Sequence, residues 1–279
     1  MSVLAGTRNF LAFIRFSHTV FALPFALGAM FVAAGGFPAP RVAAGILAAM
    51  VFARTAAMTF NRLADWEIDR RNPRTAGRQT LASRPATALV CAACSAGFVA
   101  AAAWLNPLCF VLSPVALAAI FFYSLTKRFT HLAQFFLGLA LSIAPVGAWL
   151  AVTGAFAPPP IILAGAVLLW VAGFDMIYAL QDYEVDKREG LKSMVVWLGP
   201  ARTRPVALGL HAAALGGFAA FGIAAALGPL YFAGIAAMAA ILVWEHRLAA
   251  RSDTESINRA FFHANAAVGA VFLASTFPF

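Results

Sequence analysis

Long apolar runs recur along the whole chain, and no other feature restricts its fold so strongly. A helix that crosses a bilayer needs about 17–25 predominantly apolar residues. Nine runs of that kind are read at about 13–36, 42–60, 86–104, 107–124, 132–153, 160–180, 205–227, 229–244 and 261–277, the eighth being the shortest. With 62% hydrophobic and only 11% charged residues among 279, the chain lies outside the range of soluble domains. In lipid every backbone polar group must be satisfied internally, and runs of this length do so as helices. The expectation is an all-α polytopic membrane protein: nine transmembrane helices, as two four-helix halves plus one, in a single domain over 1–279. The first run is long and continues into more of the same, so it reads as a span and not as a cleavable leader.

The basic residues orient these spans. Of the twenty Lys and Arg, eighteen fall in the N-terminal arm and in the 2–3, 4–5, 6–7 and 8–9 connections. Arg41 lies in the opposite set and Arg54 inside the second helix. The positive-inside rule then puts the N-terminus in the cytoplasm and the C-terminus, Thr276 to Phe279, on the outer side. The net charge of +9 serves orientation and attraction to anionic lipid. Nucleic-acid binding is excluded, because the basic residues are spread over alternate short loops and form no single face. Outer connections are minimal (Leu105-Asn106, Gly154 to Pro160, Gly228-Pro229), whereas 61–85, 182–204 and 245–259 are long and cytoplasmic. The working face is therefore expected at the cytoplasmic side. Cys91 and Cys94 form a C-x-x-C within the third helix, with no His or second pair nearby, and read as small buried apolar residues. Nothing in the sequence calls for an obligate protein partner.

Two acidic clusters interrupt this apolar background. Asn61-Arg-Leu-Ala-Asp65-Trp-Glu-Ile-Asp69 ends the second helix, and Asp175-Met-Ile-Tyr178-Ala-Leu-Gln181-Asp182-Tyr-Glu-Val-Asp186 ends the sixth. Eight of the eleven acidic residues lie in or beside them. An even number of helices separates the clusters, so both emerge on the same side. At about 100° per residue, Asn61, Asp65 and Asp69 fall within an arc of ~80°, and Asp175, Asp182 and Asp186 within ~40°. Glu67 and Glu184 point off these faces and read as solvated. Facing carboxylates repel by roughly 3 kcal/mol per pair at ~6 Å with an effective dielectric of 20. A divalent cation removes that penalty. Hard oxygen ligands suit Mg²⁺, which typically bridges carboxylates to substrate phosphates. Asp175 lies about two turns inside the membrane, where an ionised Asp normally faces a polar cavity. Phosphate also needs cations: Arg62, Lys127 and Arg128 are the leading candidates, ahead of Arg70, Arg71, Arg74 and Arg78. Arg54 lies seven residues before Asn61, on nearly the same helix face and deeper. Two readings of it stand open: a side chain snorkelling to the interface, or a counter-ion for an anionic substrate group bound deeper than the metals.

N-R-L-A-D-W-E-I-D (61–69) followed by R-N-P-R-T-A-G-R (71–78) resembles the first motif of the UbiA superfamily of intramembrane prenyltransferases. D-M-I-Y-A-L-Q-D-Y-E-V-D (175–186) followed by G-L-K-S (190–193) resembles its second. F-S-H-T-V-F-A-L-P-F (16–25), Y-S-L-T-K-R-F-T (123–130), A-P-V-G-A-W (144–149) and W-E-H-R-L (244–248) extend the likeness almost end to end, and it is closest to the bacterial 4-hydroxybenzoate polyprenyltransferase branch. The resemblance implies a nine-helix UbiA-type fold in the bacterial inner membrane and Mg²⁺-dependent transfer of a prenyl chain from a polyprenyl diphosphate to an aromatic ring. It implies Asn61, Asp65, Asp69, Asp182 and Asp186 as metal–diphosphate ligands, and Arg62, Lys127 and Arg128 as diphosphate contacts. Arg54 would hold the carboxylate of the aromatic acceptor, and Asp175 and Tyr178 would line the reaction chamber. Tyr123 and Tyr178 offer ring faces to an allylic cation, with packing or interfacial anchoring as the equal alternative. Gln79-Thr-Leu-Ala-Ser-Arg84 departs from the Pro- and Gly-containing turn of the family, which weakens a loop-closing role for that segment.

Two acceptors fit this reading, 4-hydroxybenzoate first and 1,4-dihydroxy-6-naphthoate of the futalosine menaquinone route second. Both carry a carboxylate, so Arg54 does not separate them. A cation-coupled transporter is the alternative of a different class. It predicts charges through the membrane midplane and broken helices there, whereas these acids gather at one face.

Overall fold

Proline and asparagine set where the helices begin. The computed structural model describes residues 21–71, 75, 77, 81–251 and 253–278. In chain order the first half contains α1 (Leu23–Ala34), α2 (Pro40–Ala64), the short α3 (Trp66–Arg71), α4 (Arg84–Leu105) and α5 (Pro107–Thr126). The second half contains α6 (Ala133–Thr153), α7 (Pro158–Ala179), the short α8 (Tyr183–Arg188) and α9 (Met194–Leu198), α10 (Pro200–Ala224) and α11 (Pro229–Ala249). The chain closes with α12 (Thr254–Arg259), a π-helical turn (Ala260–Ala264) and α13 (Asn265–Thr276). Pro24, Pro40, Pro85, Pro107, Pro158, Pro200 and Pro229 all sit in the first two positions of a helix. There the missing N–H costs nothing and the fixed φ favours helix entry. Asn106 makes the tightest connection. Its Oδ1 accepts from the Cys109 amide at 2.9 Å, capping α5, while its Nδ2 donates to the Leu150 carbonyl at 2.8 Å on α6.

Seven helices among the described residues are long and apolar enough to cross a membrane, so this is an integral membrane protein. The first expected span is represented by α1 alone, because residues 13–20 lie outside the described residues. The last expected span is a composite of the π turn and α13, with α12 leading into it. Three expected limits shift. The second helix runs to Ala64 and not to 60, carrying Asn61 and Arg62 on its last turn. The seventh starts at Pro200, because proline at its first turn begins the helix instead of preceding it. The eighth extends to Ala249, so Glu245 and His246 belong to the helix and not to a cytoplasmic connection over 245–259.

In the first half, α2, α4 and α5 pack on one another, and α5 and α2 also meet α6. In the second half, α6, α7, α10 and α11 pack in sequence. α13 and α1 complete a ring by seating between α11 and α6. Lipid is as apolar as leucine, so association rests on close van der Waals packing and on interhelical hydrogen bonds. Gly138 shows the first: a Cβ there would lie 2.4 Å from the Leu168 carbonyl oxygen, so α6 and α7 approach backbone to backbone. The ring is filled by aromatics, with Phe25 4.6 Å from Phe272 and 4.9 Å from Trp170 between ring centroids.

The second device is a buried polar network behind α7. Asn265 Nδ2 donates to Glu245 Oε1 at 2.9 Å and to the Phe261 carbonyl at 2.9 Å, bridging α11 to the π turn. The His211 and His246 rings meet at 3.0 Å (Nδ1 to Nε2), and His211 Nε2 lies 3.2 Å from the Trp170 carbonyl. Arg41, the basic residue on the opposite side, hydrogen-bonds the Trp104 carbonyl at the end of α4, with its guanidinium 5.7 Å from the Trp104 ring centroid. It caps a helix terminus, which explains its place outside the general charge pattern. Cys91 is buried with Sγ 3.7 Å from the Ala56 carbonyl, and Cys91, Cys94 and Cys109 are free thiols.

Candidate active site

Each acidic cluster sits where a long helix ends and restarts. Asp65 leaves α2 with φ −95° and ψ 13°, yet the Asp65 amide still bonds the Asn61 carbonyl at 2.9 Å and the Asp69 amide the Asp65 carbonyl at 2.7 Å. The i to i−4 register therefore survives the break and keeps Asn61, Asp65 and Asp69 on one face. In the second cluster α7 tightens into a 3₁₀ turn, Leu180–Asp182, before α8.

Both faces line one cavity of about 290 Å³. Asn61, Asp65 and Asp69 border it from the first half, and Asp175, Tyr178, Asp182 and Asp186 from the second. Arg62, Lys127, Arg54 and Tyr123 complete the expected set. Arg128 is the exception: it does not border the cavity. Its guanidinium binds the Ala64 carbonyl and lies 3.5 Å from Asp65 Oδ1, bracing the carboxylate from behind. Arg74 and Arg78 lie outside the described residues, as do 79 and 80 of the segment that departs from the family pattern. Arg70 pairs with Glu67 at 2.9 Å on the surface, and Arg71 with Glu189 at 3.2 Å across the two cluster segments.

The first cluster is held by charge. Asp65, 3% exposed, receives Lys127 Nζ at 2.7 Å and Asn61 Nδ2 at 3.3 Å on Oδ2. Arg62 Nη1 lies 3.1 Å from Asp69 Oδ2, and Thr75 Oγ1 donates to the Asp69 carbonyl at 2.9 Å. Buried charges of this kind persist only when paired and hydrogen-bonded. Cavity-lining residues not singled out in the sequence join them: Gln134, Ser193, Ser124 and the aromatics Phe21, Phe174 and Phe261. Ser124 Oγ accepts from Asn61 Nδ2 at 3.4 Å, and the Tyr178 and Phe261 rings pack at 4.1 Å. Ser193, Ser124 and Phe21 fall within the family-like stretches, whereas Gln134, Phe174 and Phe261 carry no repeat or charge pattern and only their place on the cavity wall sets them apart.

A second cavity, about 540 Å³, opens within the first half between α2, α4, α5 and α6. Its walls are apolar, among them Met50, Phe98, Leu105, Leu112 and Ile143. Arg54, Tyr123 and Leu141 line both cavities, so the two adjoin at these residues. Among the described residues no three His, Cys, Asp or Glu side chains converge closely enough to hold a metal ion by themselves. The carboxylates of Asp65, Asp69, Asp182 and Asp186 that border the cavity are hard oxygen donors of the kind a divalent cation takes together with substrate phosphate oxygens. The carboxylates here fit an ion that arrives with a phosphorylated ligand.

The model of the UbiA prenyltransferase family matches residues 22–266. The chain belongs to that family. It is 33% identical over 249 residues to the 4-hydroxybenzoate octaprenyltransferase of Marinobacter nauticus, covering 88% of this chain and 84% of that one. The protein of the same description from Methylococcus capsulatus is 34% identical over 253 residues, at 88% and 85% coverage. The apo structure of a UbiA homolog from Aeropyrum pernix K1 superposes with a TM-score of 0.84 at 34% identity, over 92% of this chain and 96% of that one. A UbiA homolog from Archaeoglobus fulgidus bound to GPP and Mg²⁺ shares the fold, with a TM-score of 0.75 at 24% identity over 96% and 98% of the two chains. The chain is thus a UbiA-family prenyltransferase, and its paired acidic segments, polar cavity and apolar annex belong to an enzyme of that class.

Proposed function

We propose that this prenyltransferase moves a polyprenyl group from polyprenyl diphosphate to the ring of 4-hydroxybenzoate, with Mg²⁺, in respiratory quinone synthesis. The whole chain acts as one transmembrane domain in the bacterial inner membrane, with its N-terminus and active site on the cytoplasmic side. The observation that carries this reading is that two cavities share Arg54 and Tyr123. These residues would form a neck between a polar, cation-bearing space and a larger apolar one, the shape of a donor with a diphosphate head and a hydrocarbon tail. The description of the Marinobacter and Methylococcus relatives supports the acceptor, and the ligands of the Archaeoglobus protein support a prenyl diphosphate with Mg²⁺.

Asn61, Asp65 and Asp69 would hold metal from one side, and Asp182 and Asp186 from the other. Bound there with the diphosphate, Mg²⁺ neutralises the charge that develops on the leaving group. Lys127, already 2.7 Å from Asp65, adds a fixed positive charge at the same end. The bond from the allylic carbon to the diphosphate oxygen breaks, and its electron pair leaves with the diphosphate. Tyr123 and Tyr178 present ring faces to the allylic cation, and Phe174 and Phe261 keep water from it. Arg54 pairs with the acceptor carboxylate and turns the ring toward the cation. The ring carbon forms the new bond, the C–H electron pair restores the aromatic ring, and the proton passes to the released diphosphate or to water. Asp175 borders this chamber.

The test is a membrane assay offering 4-hydroxybenzoate or 1,4-dihydroxy-6-naphthoate with a polyprenyl diphosphate, each with and without EDTA. Prenylated 4-hydroxybenzoate that disappears with EDTA and returns with Mg²⁺ is expected. Product from the naphthoate alone would replace the acceptor, and EDTA-resistant transfer would remove the metal.

A further inference from the structure

Gln134 occupies the first turn of α6, 3% exposed, on the wall of the polar cavity. Its side chain is fixed at one end. Oε1 accepts the backbone N–H of Met194 at 3.0 Å, from the segment that follows the second acidic cluster. That segment is itself pinned beside Lys127, because the Lys192 amide donates to the Lys127 carbonyl at 2.6 Å. The donor on Met194 settles which end of the amide is which: oxygen faces Met194, so the NH₂ group is left facing the cavity. This Nε2 has no hydrogen-bond partner among the described residues. It opens onto the cavity, where a ligand or water can accept from both of its hydrogens.

We infer that Gln134 is a binding residue for the diphosphate, donating its Nε2 hydrogens to a phosphoryl oxygen. This rests on the prenyl-diphosphate reading of the same cavity. The acceptor atom has to be supplied from outside the protein, since the cavity's carboxylates are not within hydrogen-bond distance of Nε2. Metal ligation is the poorer match, because the amide oxygen is turned to Met194 and the nitrogen carries no available lone pair. The aromatic acceptor is a poorer match. Gln134 lies at the level of Lys127 and Ser193, at the end of the bundle bearing the acids, whereas Arg54 lies seven residues deeper than Asn61 along α2. The amide would thus face Lys127 across the head group as a neutral donor in a site crowded with acids. It adds no charge that would compete with Mg²⁺ for the carboxylates.

Gln134→Glu separates this role from a merely structural one. Glutamate keeps an oxygen for the Met194 N–H and turns the two donors into a second oxygen. The full-length protein in detergent is compared with wild type for the KM of both substrates, and for the rise in melting temperature produced by Mg²⁺ with inorganic pyrophosphate. The expected result is a KM for prenyl diphosphate raised about tenfold or more, as for loss of a charge-assisted hydrogen bond, with the acceptor KM unchanged and the pyrophosphate-induced rise lost. Wild-type values for both readouts would overturn the assignment and leave Gln134 as an anchor for Met194. If Gln134→Glu does not fold, Gln134→Leu carries the test: a full wild-type pyrophosphate shift overturns the proposal and a diminished one supports it. A wild-type protein that neither responds to Mg²⁺ with pyrophosphate nor transfers a prenyl group would instead bring down the functional reading itself.

Discussion

The polar cavity and the Glu245–Asn265–His211–His246 network both place ionisable groups inside an apolar bundle, and they differ in what those groups face. In the network the contacts are internal: Asn265 gives one hydrogen to Glu245 and another to the Phe261 carbonyl, and His211 sits between His246 and the Trp170 carbonyl, while Glu245 Oε2 and Asn265 Oδ1 accept no hydrogen bond among the described residues. Glu245 and Asn265 are fully buried, and none of the four borders either cavity. In the polar cavity carboxylates from two helix ends face a shared space of about 290 Å³, braced by Lys127, Arg62 and Arg128. An intramembrane acid is therefore not enough to mark a binding site. An acid that borders a volume large enough for a ligand is the stronger mark, and in this molecule that separates Asp175 from Glu245.

The sharpest way to break this contrast is to remove one acid from each region. Asp65→Ala or Asp182→Ala is expected to cost about 10²–10³-fold or more in kcat/KM, in a protein that still folds. Full activity in either variant, measured by product formation in membranes, would end the metal-site account. Arg54→Ala comes next. Truncating one partner of a buried charge pair costs about 2 kcal/mol or more, so the acceptor KM should rise roughly 30-fold while the donor KM stays within about twofold. Equal changes in both would argue for a general packing role at the neck. Asn265→Leu should show the reverse profile. Transfer well below the melting temperature should persist, while stability falls by about 1–2 kcal/mol, the scale of an interhelical hydrogen bond. Lost activity in a variant that melts like wild type would move the network into the site. The smallest effect is expected for Cys94→Ala, where activity should be the same under reducing and oxidising conditions, as befits a thiol with no metal or redox partner.

The contrast also governs what was readable from the sequence. The aspartates were legible because three physical signals coincide: charge inside apolar runs, spacing near a helical turn, and an even number of spans between the clusters. Arg62 followed from its place in the first cluster, and Lys127 from a loop on the same expected side of the membrane. Arg128 shares the Lys127 signal but backs Asp65 instead of bordering the cavity, a difference that a dipeptide in a tight turn does not reveal. Gln134 and Phe261 carried no pattern at all, being single residues in apolar or mixed segments whose place on the cavity wall arises only from tertiary packing. Glu245 read as part of a connection because it precedes His246 and Arg247, yet Asn265, twenty residues later, lets the helix bury it. The helix starts were the most legible part of the fold, since proline at a first turn acts locally and needs no tertiary partner.

The central claim is that the two acidic segments grip one diphosphate whose chain runs through the Arg54–Tyr123 neck. It is tested most directly by a structure of the protein with Mg²⁺ and a non-reactive prenyl thiolodiphosphate. The account predicts the diphosphate between Asp65 and Asp69 on one side and Asp182 and Asp186 on the other, with the prenyl chain in the apolar cavity. A diphosphate bound by only one segment, or a chain that leaves without passing Arg54 and Tyr123, would contradict it.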